Sequence, residues 1–135
     1  MRLEVAQDIV RARCWGRCEG CGAFGPVQVH HRRARGVGGV HRAEAERAND
    51  PRNLLALCPP CHAKTEDAST WRQCEELGWR VEHGIRDPYE IPAYLHTVNG
   101  VGWWLLTAEG GYRWQDLPAD HRITWREDHE DGDQS

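Results

Sequence analysis

The feature that most constrains this chain is a pair of Cys-x-x-Cys motifs, Cys18-Glu19-Gly20-Cys21 and Cys58-Pro59-Pro60-Cys61, with 36 residues between them. Two cysteines separated by two residues can aim both sulfurs at one tetrahedral ion, and two such pairs complete a four-sulfur site. The separation exceeds that of a compact zinc ribbon. A structural Zn2+ held by Cys18, Cys21, Cys58 and Cys61 is therefore expected to staple a folded insertion. Cys14 and Cys74 are left over and are expected as small buried residues, with Cys14 an alternative to Cys18 for the metal.

The compartment decides whether cysteines serve metals or disulfides. Met1 to Asp8 has no apolar signal core, so cytoplasmic residence, and with it metal ligation, is expected. A mean hydropathy of -0.76 with 28% charged residues argues against a membrane span. At 135 residues the chain is long enough for one modest core.

The net charge of -4 hides an uneven distribution. Residues 1–62 hold ten Arg against six acids, whereas residues 63–135 hold seven Lys or Arg against fifteen acids. Positive charge thus travels with the Cys/His stretch. Sixteen Arg accompany a single Lys, Lys64. Arg suits bidentate phosphate contacts, although a GC-rich coding genome produces the same bias.

The insertion itself is patterned. Leu3, Ala6, Ile9 and Val10 at helical spacing predict a helix over 3–13 ahead of it. Val27-Gln28-Val29-His30-His31 alternates as a strand does after the turn residues Gly25-Pro26. Residues 32–50 form a long Arg- and Gly-rich loop, of a length that is functional or disordered. Asn53 to Leu57 supplies a second strand, and a helix is expected from about Cys61 to Leu77, with Ala63, Ala68, Trp71, Cys74 and Leu77 inward and Gly78 as its stop. Strand, long loop, strand and helix follow in that order.

Beyond Gly78 the texture is β-rich. Trp79 to Glu82 is strand-like, and Val101 to Leu106 can turn at Gly110-Gly111 into Tyr112-Arg113-Trp114 as a hairpin. The Trp and Tyr residues here suit core packing or, as the alternative, base stacking. Three segments are expected: a core over 1–78, an accessory extension over 79–126 packed on it, and an acidic disordered tail over 127–135.

Histidines cluster at the junctions. An alternating strand points His30 and His31 in opposite directions, so one can bind a metal while the other activates water. His62 follows Cys61 and is carried toward them by the shared zinc. Phosphodiester hydrolysis needs both a base and a divalent ion.

The order Cys-x-x-Cys, His-His, Gly-Gly, Asn, Cys-x-x-Cys-His over about residues 14–68 resembles the HNH endonucleases, whose active site is a ββα-metal unit. Gly78-Trp79-Arg80-Val81 and the stretch from Asp87-Pro88 to Ile91-Pro92 make the whole chain similar to small HNH proteins of actinobacterial phages. The resemblance implies an α+β fold with a zinc-stapled ββα-metal core, and a DNA endonuclease acting on duplex or branched DNA to leave a 3′-hydroxyl and a 5′-phosphate. It makes His31 the general base and Asn53 the residue that orients the His31 imidazole. His30 and His62 become ligands of a catalytic divalent ion, Mg2+, Mn2+, Ni2+ or Zn2+. Glu66, one turn beyond His62, is either a third ligand or part of a solvated helix face. Arg32, Arg33, Arg35 and Arg52 are candidates for DNA phosphates. A phage origin, host cytoplasm and work beside a terminase are implied by resemblance alone. Two rival classes stand beside the enzyme: a zinc-stabilised DNA-binding or packaging-accessory module, and a zinc-ribbon protein adaptor.

Overall fold

The computed structural model describes residues 2–33, 47–81 and 87–124. Arg35, the glycines of the long loop, Glu82 and the acidic tail lie outside the described residues.

Helix α1 (Leu3–Cys14) presents Ala6, Val10, Arg13 and Cys14 inward. Ala6, Val10 and Cys14 pack with Leu54 and Ala56. Strand β1 (Gln28–His31) pairs antiparallel with β2 (Leu54–Leu57), setting His30 opposite Leu55 and His31 opposite Leu54. All four β2 side chains are buried, because α1 covers one face of this two-stranded sheet and a second core covers the other. Pro51–Asn53 forms a single 3-10 turn that feeds β2. The aspartate before it, Asp50, accepts a bond from the Arg52 N–H at 2.9 Å.

The expected helix over 61–77 is two helices. Helix α2 (Pro59–Glu66) starts on its prolines, and α3 (Trp71–Glu76) follows a 3-10 turn at Ala68–Thr70. Asp67 makes the break: its carboxylate accepts bonds from the Ser69 N–H and hydroxyl, which caps a new start instead of continuing the old helix. The expected inner face fails with it. Ala63, Ala68 and Trp71 are exposed, and Cys74 is the member that is fully buried.

Gly78 closes α3 at φ +75, and a Cβ there would stand 2.2 Å from the Pro92 carbonyl oxygen. Trp79 to Val81 form no strand. Their N–H groups are spent singly, Trp79 and Arg80 on the Cys74 carbonyl and Val81 on that of Arg32, so no ladder develops. The extension is a three-stranded antiparallel sheet, β3 (Ala93–Thr97), β4 (Gly100–Leu106) and β5 (Tyr112–Gln115), in the order β3-β4-β5. The β4–β5 hairpin forms across Gly110-Gly111 as expected, and β3 is an additional strand. Tyr94 N–H donates to Leu77 O and His96 N–H to Glu19 O, which ties the β3 edge to the first half of the chain.

One hydrophobic cluster joins both halves. It contains Cys18, Leu55, Leu57 and Cys61 from the first and Trp79, Ala93, Leu95 and Trp104 from the second. Each fully buried Leu in it contributes about 2 kcal/mol relative to exposure. The architecture is α+β: a ββα unit stapled by cysteines, with a small sheet packed against it. Trp79, Trp103 and Trp104 are core residues, whereas Trp114 is half exposed. Among the described residues no helix is long and apolar enough to cross a membrane.

Candidate functional site

The sulfurs of Cys18, Cys21, Cys58 and Cys61 all lie within 4.8 Å of one another. A Zn–S bond of about 2.3 Å in tetrahedral geometry puts ligand sulfurs about 3.8 Å apart, and Cys21 Sγ and Cys58 Sγ are separated by 3.7 Å. The donor set fits a structural zinc. Cys58 sits in extended backbone between β2 and α2, and Gly20 N–H donates to Cys18 Sγ at 3.3 Å. Burial pushes the Cys18 and Cys61 thiols up, so holding them as thiolates calls for a cation. Cys14 stays outside the cluster, with its thiol on the Arg11 carbonyl and its side chain in the α1 core.

Cys58 stands at the start of α2 and Cys61 in its first turn, and α2 brings His62 beside β1. The His30 and His62 ring centroids are 5.5 Å apart. His30 is buried, and its Nε2–H donates to the Trp79 carbonyl at 2.9 Å. That bond places the lone pair of the neutral ring on Nδ1. Thr65 Oγ1 approaches Nδ1 at 3.4 Å, but it gives its one proton to the His62 carbonyl at 2.6 Å. Desolvation lowers the His30 imidazole to about 4, against a partial offset from the Trp79 carbonyl. His30 is therefore neutral at physiological pH, the form a metal ligand requires.

His62 Nδ1 lies 2.5 Å from Gln28 Oε1, and an amide oxygen only accepts. In the neutral ring the lone pair is then on Nε2, which faces Glu66 Oε1 at 3.3 Å. Two ligands bound at about 2.1 Å in cis positions stand about 3.0 Å apart, so this pair suits a shared cation. Among the described residues, His30, His62 and Glu66 do not converge as three donors in the way the cysteines do.

His31, the next residue along β1, meets an asparagine. Its Nε2 lies 3.0 Å from Asn49 Oδ1. Asn53 is placed differently from expectation. Its Oδ1 accepts from Arg33 N–H at 2.9 Å, and its Nδ2 donates to the carbonyls of Arg33 and Ala48 at 3.1 and 2.9 Å. Asn53 clasps the two ends of the long loop, and Asn49 meets the histidine ring. Sequence reasoning missed Asn49; its only trace was a second Asn four residues before Asn53.

The arginines divide sharply. Arg32 is 1% exposed and is no phosphate ligand. Its guanidinium donates to the carbonyls of Gly78, Arg52, Pro88 and Ile91 at 2.7–3.1 Å, pinning the loop to both halves. Burial pulls its pKa down to about 9, still on the charged side of neutrality. Arg52 turns its fork on Asp50, with both bonds at 2.9 Å, and stacks 3.7 Å from the Tyr89 ring centre. That carboxylate occupies the geometry a phosphate would use. Arg33 is half-buried at the mouth of the loop.

Residues 18–68 match the family model for HNH endonuclease. This segment is similar to an HNH domain. The match begins at the first zinc cysteine and ends just past α2, so it covers β1, β2, α2 and the loop between the strands. No curated protein and no solved structure matches the chain. The matched segment carries His30, His31 and His62 with both asparagines, while the extension contributes the Trp79 carbonyl behind His30 and two of the carbonyls that hold Arg32, those of Pro88 and Ile91.

Proposed function

We propose that the HNH domain is a metal-dependent endonuclease that hydrolyses DNA phosphodiester bonds. The observation that carries this reading is the placement of His30 and His62 beside each other, 5.5 Å between ring centres, at the end of the strand that bears His31. His30 Nδ1 and His62 Nε2 would hold a divalent ion, with Glu66 as a third ligand. Such an ion supplies charge stabilisation at the scissile phosphate and at the leaving oxygen. His31 takes the proton from the attacking water, and Asn53 keeps the loop that carries His31 in place. The cysteine-bound zinc is structural. It sets where α2 begins, hence where His62 stands. Arg33 and Arg35, at the start of the loop, are the arginines of the four that remain suited to the DNA backbone.

Cleavage of supercoiled plasmid by the wild-type chain and by His31→Ala, in Mg2+, Mn2+, Ni2+ and Zn2+, tests the proposal. Metal-dependent nicking that falls at least about 100-fold in His31→Ala is the expected result. Equal activity of the two proteins, or none from either in any metal, overturns it.

A further inference from the structure

We infer that the open end of the first cysteine knuckle is a stacking platform for unpaired DNA, with Trp15 and Phe24 taking bases and Arg11 and Arg17 taking phosphates. The inference rests on the reading that this chain acts on DNA. It adds the form of that DNA: a strand with single-stranded bases close to the bond to be cut.

The knuckle is a short hairpin. Arg17 and Phe24 form an antiparallel bridge, Cys18 N–H donates to Ala23 O at 2.8 Å, and Gly25 N–H donates to Gly16 O at 3.2 Å. That pairing sets Trp15 and Phe24 at the same end of the hairpin, and each is 73% exposed. Trp15 is also the one non-glycine among the described residues at positive φ, 55°, where it closes α1. A bulky residue in that region is strained, and glycine or asparagine is its usual occupant. The fold gains little from an indole that it leaves in solvent, so a ligand accounts for the ring.

The charge on this stretch is one-sided. Between residues 11 and 27 the one acid is Glu19, fully buried against Arg13. Arg11 is exposed and Arg17 half-buried, and among the described residues neither pairs with a carboxylate. Arg17 stacks 4.6 Å from the Phe24 ring centre, so a base laid on that ring brings its phosphate near the guanidinium. An apolar partner would leave both cations unanswered, whereas a phosphate backbone answers them. Beside Trp15 lies a groove of about 360 Å3, lined also by Val98, Asn99 and Glu109. The Glu109 carboxylate repels phosphate, which keeps the backbone on the arginine side and leaves the groove to a base. Phe24 is four positions before Gln28, at most about 14 Å of chain, and Gln28 touches His62. The platform is thus within a few nucleotides of the histidine pair.

The experiment measures binding of a fluorescein-labelled oligo(dT) of about 20 nucleotides, and of a blunt duplex, to the zinc-loaded full chain. His31→Ala serves as background and no divalent ion is added, so binding is read without cleavage. Trp15→Asn and Phe24→Leu should each weaken single-strand binding about 5- to 150-fold, with duplex binding within about twofold. Trp15→Phe and Phe24→Tyr keep a ring and should keep most of the affinity. Arg11→Gln and Arg17→Gln should each lower the salt slope by about 0.7. Asparagine suits the left-handed backbone, so Trp15→Asn should fold at least as stably as wild type; should either variant fail to fold, the other decides. Single-strand binding unchanged in Trp15→Asn and Phe24→Leu overturns the inference. So does a Leu that fully replaces Phe24, which would mean apolar contact without stacking. A dimer by light scattering that these variants turn into monomers also overturns it, by making the patch an interface between copies. Ring-dependent binding in a protein whose wild type leaves plasmid intact would uphold the platform and sink the nuclease reading. Ring-independent binding in a protein that nicks plasmid does the reverse.

Discussion

Arg13 of helix α1 and Glu19 of the first zinc knuckle meet in a bidentate ion pair, both bonds 2.8 Å, with neither side chain exposed to solvent. Glu19 also accepts from Ala56 N–H at 2.8 Å and from the Tyr112 hydroxyl, so one carboxylate joins α1, β2 and the C-terminal sheet. Removing one partner strands a buried charge. Arg13→Met and Glu19→Gln should each cost about 3–5 kcal/mol in urea unfolding. The double variant should cost clearly less than the two losses added, because the charges are coupled. Additive losses would show that the pair is not coupled.

Zinc removal should undo more than the knuckle. Cys18 and Cys61 belong to the same hydrophobic cluster as Leu55, Trp79 and Trp104, so the metal and the core are expected to be lost together. One zinc per chain by elemental analysis is expected, with collapse of the near-ultraviolet circular dichroism on chelation and in Cys58→Ser. The binding energy of a structural zinc, on the order of 10 kcal/mol, matches the entire stability of an ordinary domain. A chelated protein that melts with unchanged midpoint and cooperativity would contradict this.

His30 predicts an acid limit. Burial lowers its imidazole from 6.5 to about 4, so between those values the folded ring is neutral while the unfolded ring is charged. The unfolded state then binds more protons, and stability falls as pH falls. The contribution is complete above pH 6.5 and gone by about 4, amounting to about 3 kcal/mol. In His30→Gln the drop in urea midpoint between pH 7 and pH 4.5 should be visibly shallower than in wild type. Parallel pH curves for the two proteins would rule out this source.

Arg32 separates folding from DNA contact. Arg32→Met leaves the carbonyls of Gly78, Arg52, Pro88 and Ile91 short of a donor and should cost about 3 kcal/mol of stability. The dependence of DNA affinity on salt should not change, since a lost phosphate contact would lower that slope by about 0.9. A shallower slope in a folded Arg32→Met protein would return Arg32 to the DNA surface.

What the sequence made legible was whatever depended on neighbours along the chain. Cys-x-x-Cys spacing, the alternation at Val29-His30-His31 and the turn at Gly110-Gly111 are local, and each predicted its element. Arg32 was read as a phosphate ligand because an arginine beside two histidines on a loop looks exposed. Its partners are 20 to 59 residues away and are backbone carbonyls, which leave no mark in composition. Glu19, an acid inside a zinc knuckle, gives no hint that Arg13 and Tyr112 will bury it. The helix break at Asp67 turns on a cap competing with an otherwise permissive helical sequence, a choice that spacing alone does not make. Asn53 was assigned by the role of a motif, and the geometry moved the ring contact four residues upstream to Asn49.

The shared cluster across β2, the zinc knuckle and β3–β4 also limits how the molecule can be taken apart. The 18–68 segment is the portion a family can recognise, yet Leu55 and Leu57 are covered by Trp79, Leu95 and Trp104 from outside it. Cut free, that segment would present its inner face to water and lose the carbonyl that seats His30. The unit of recognition is smaller than the unit of folding, so moving this site into another protein means moving the sheet that follows it.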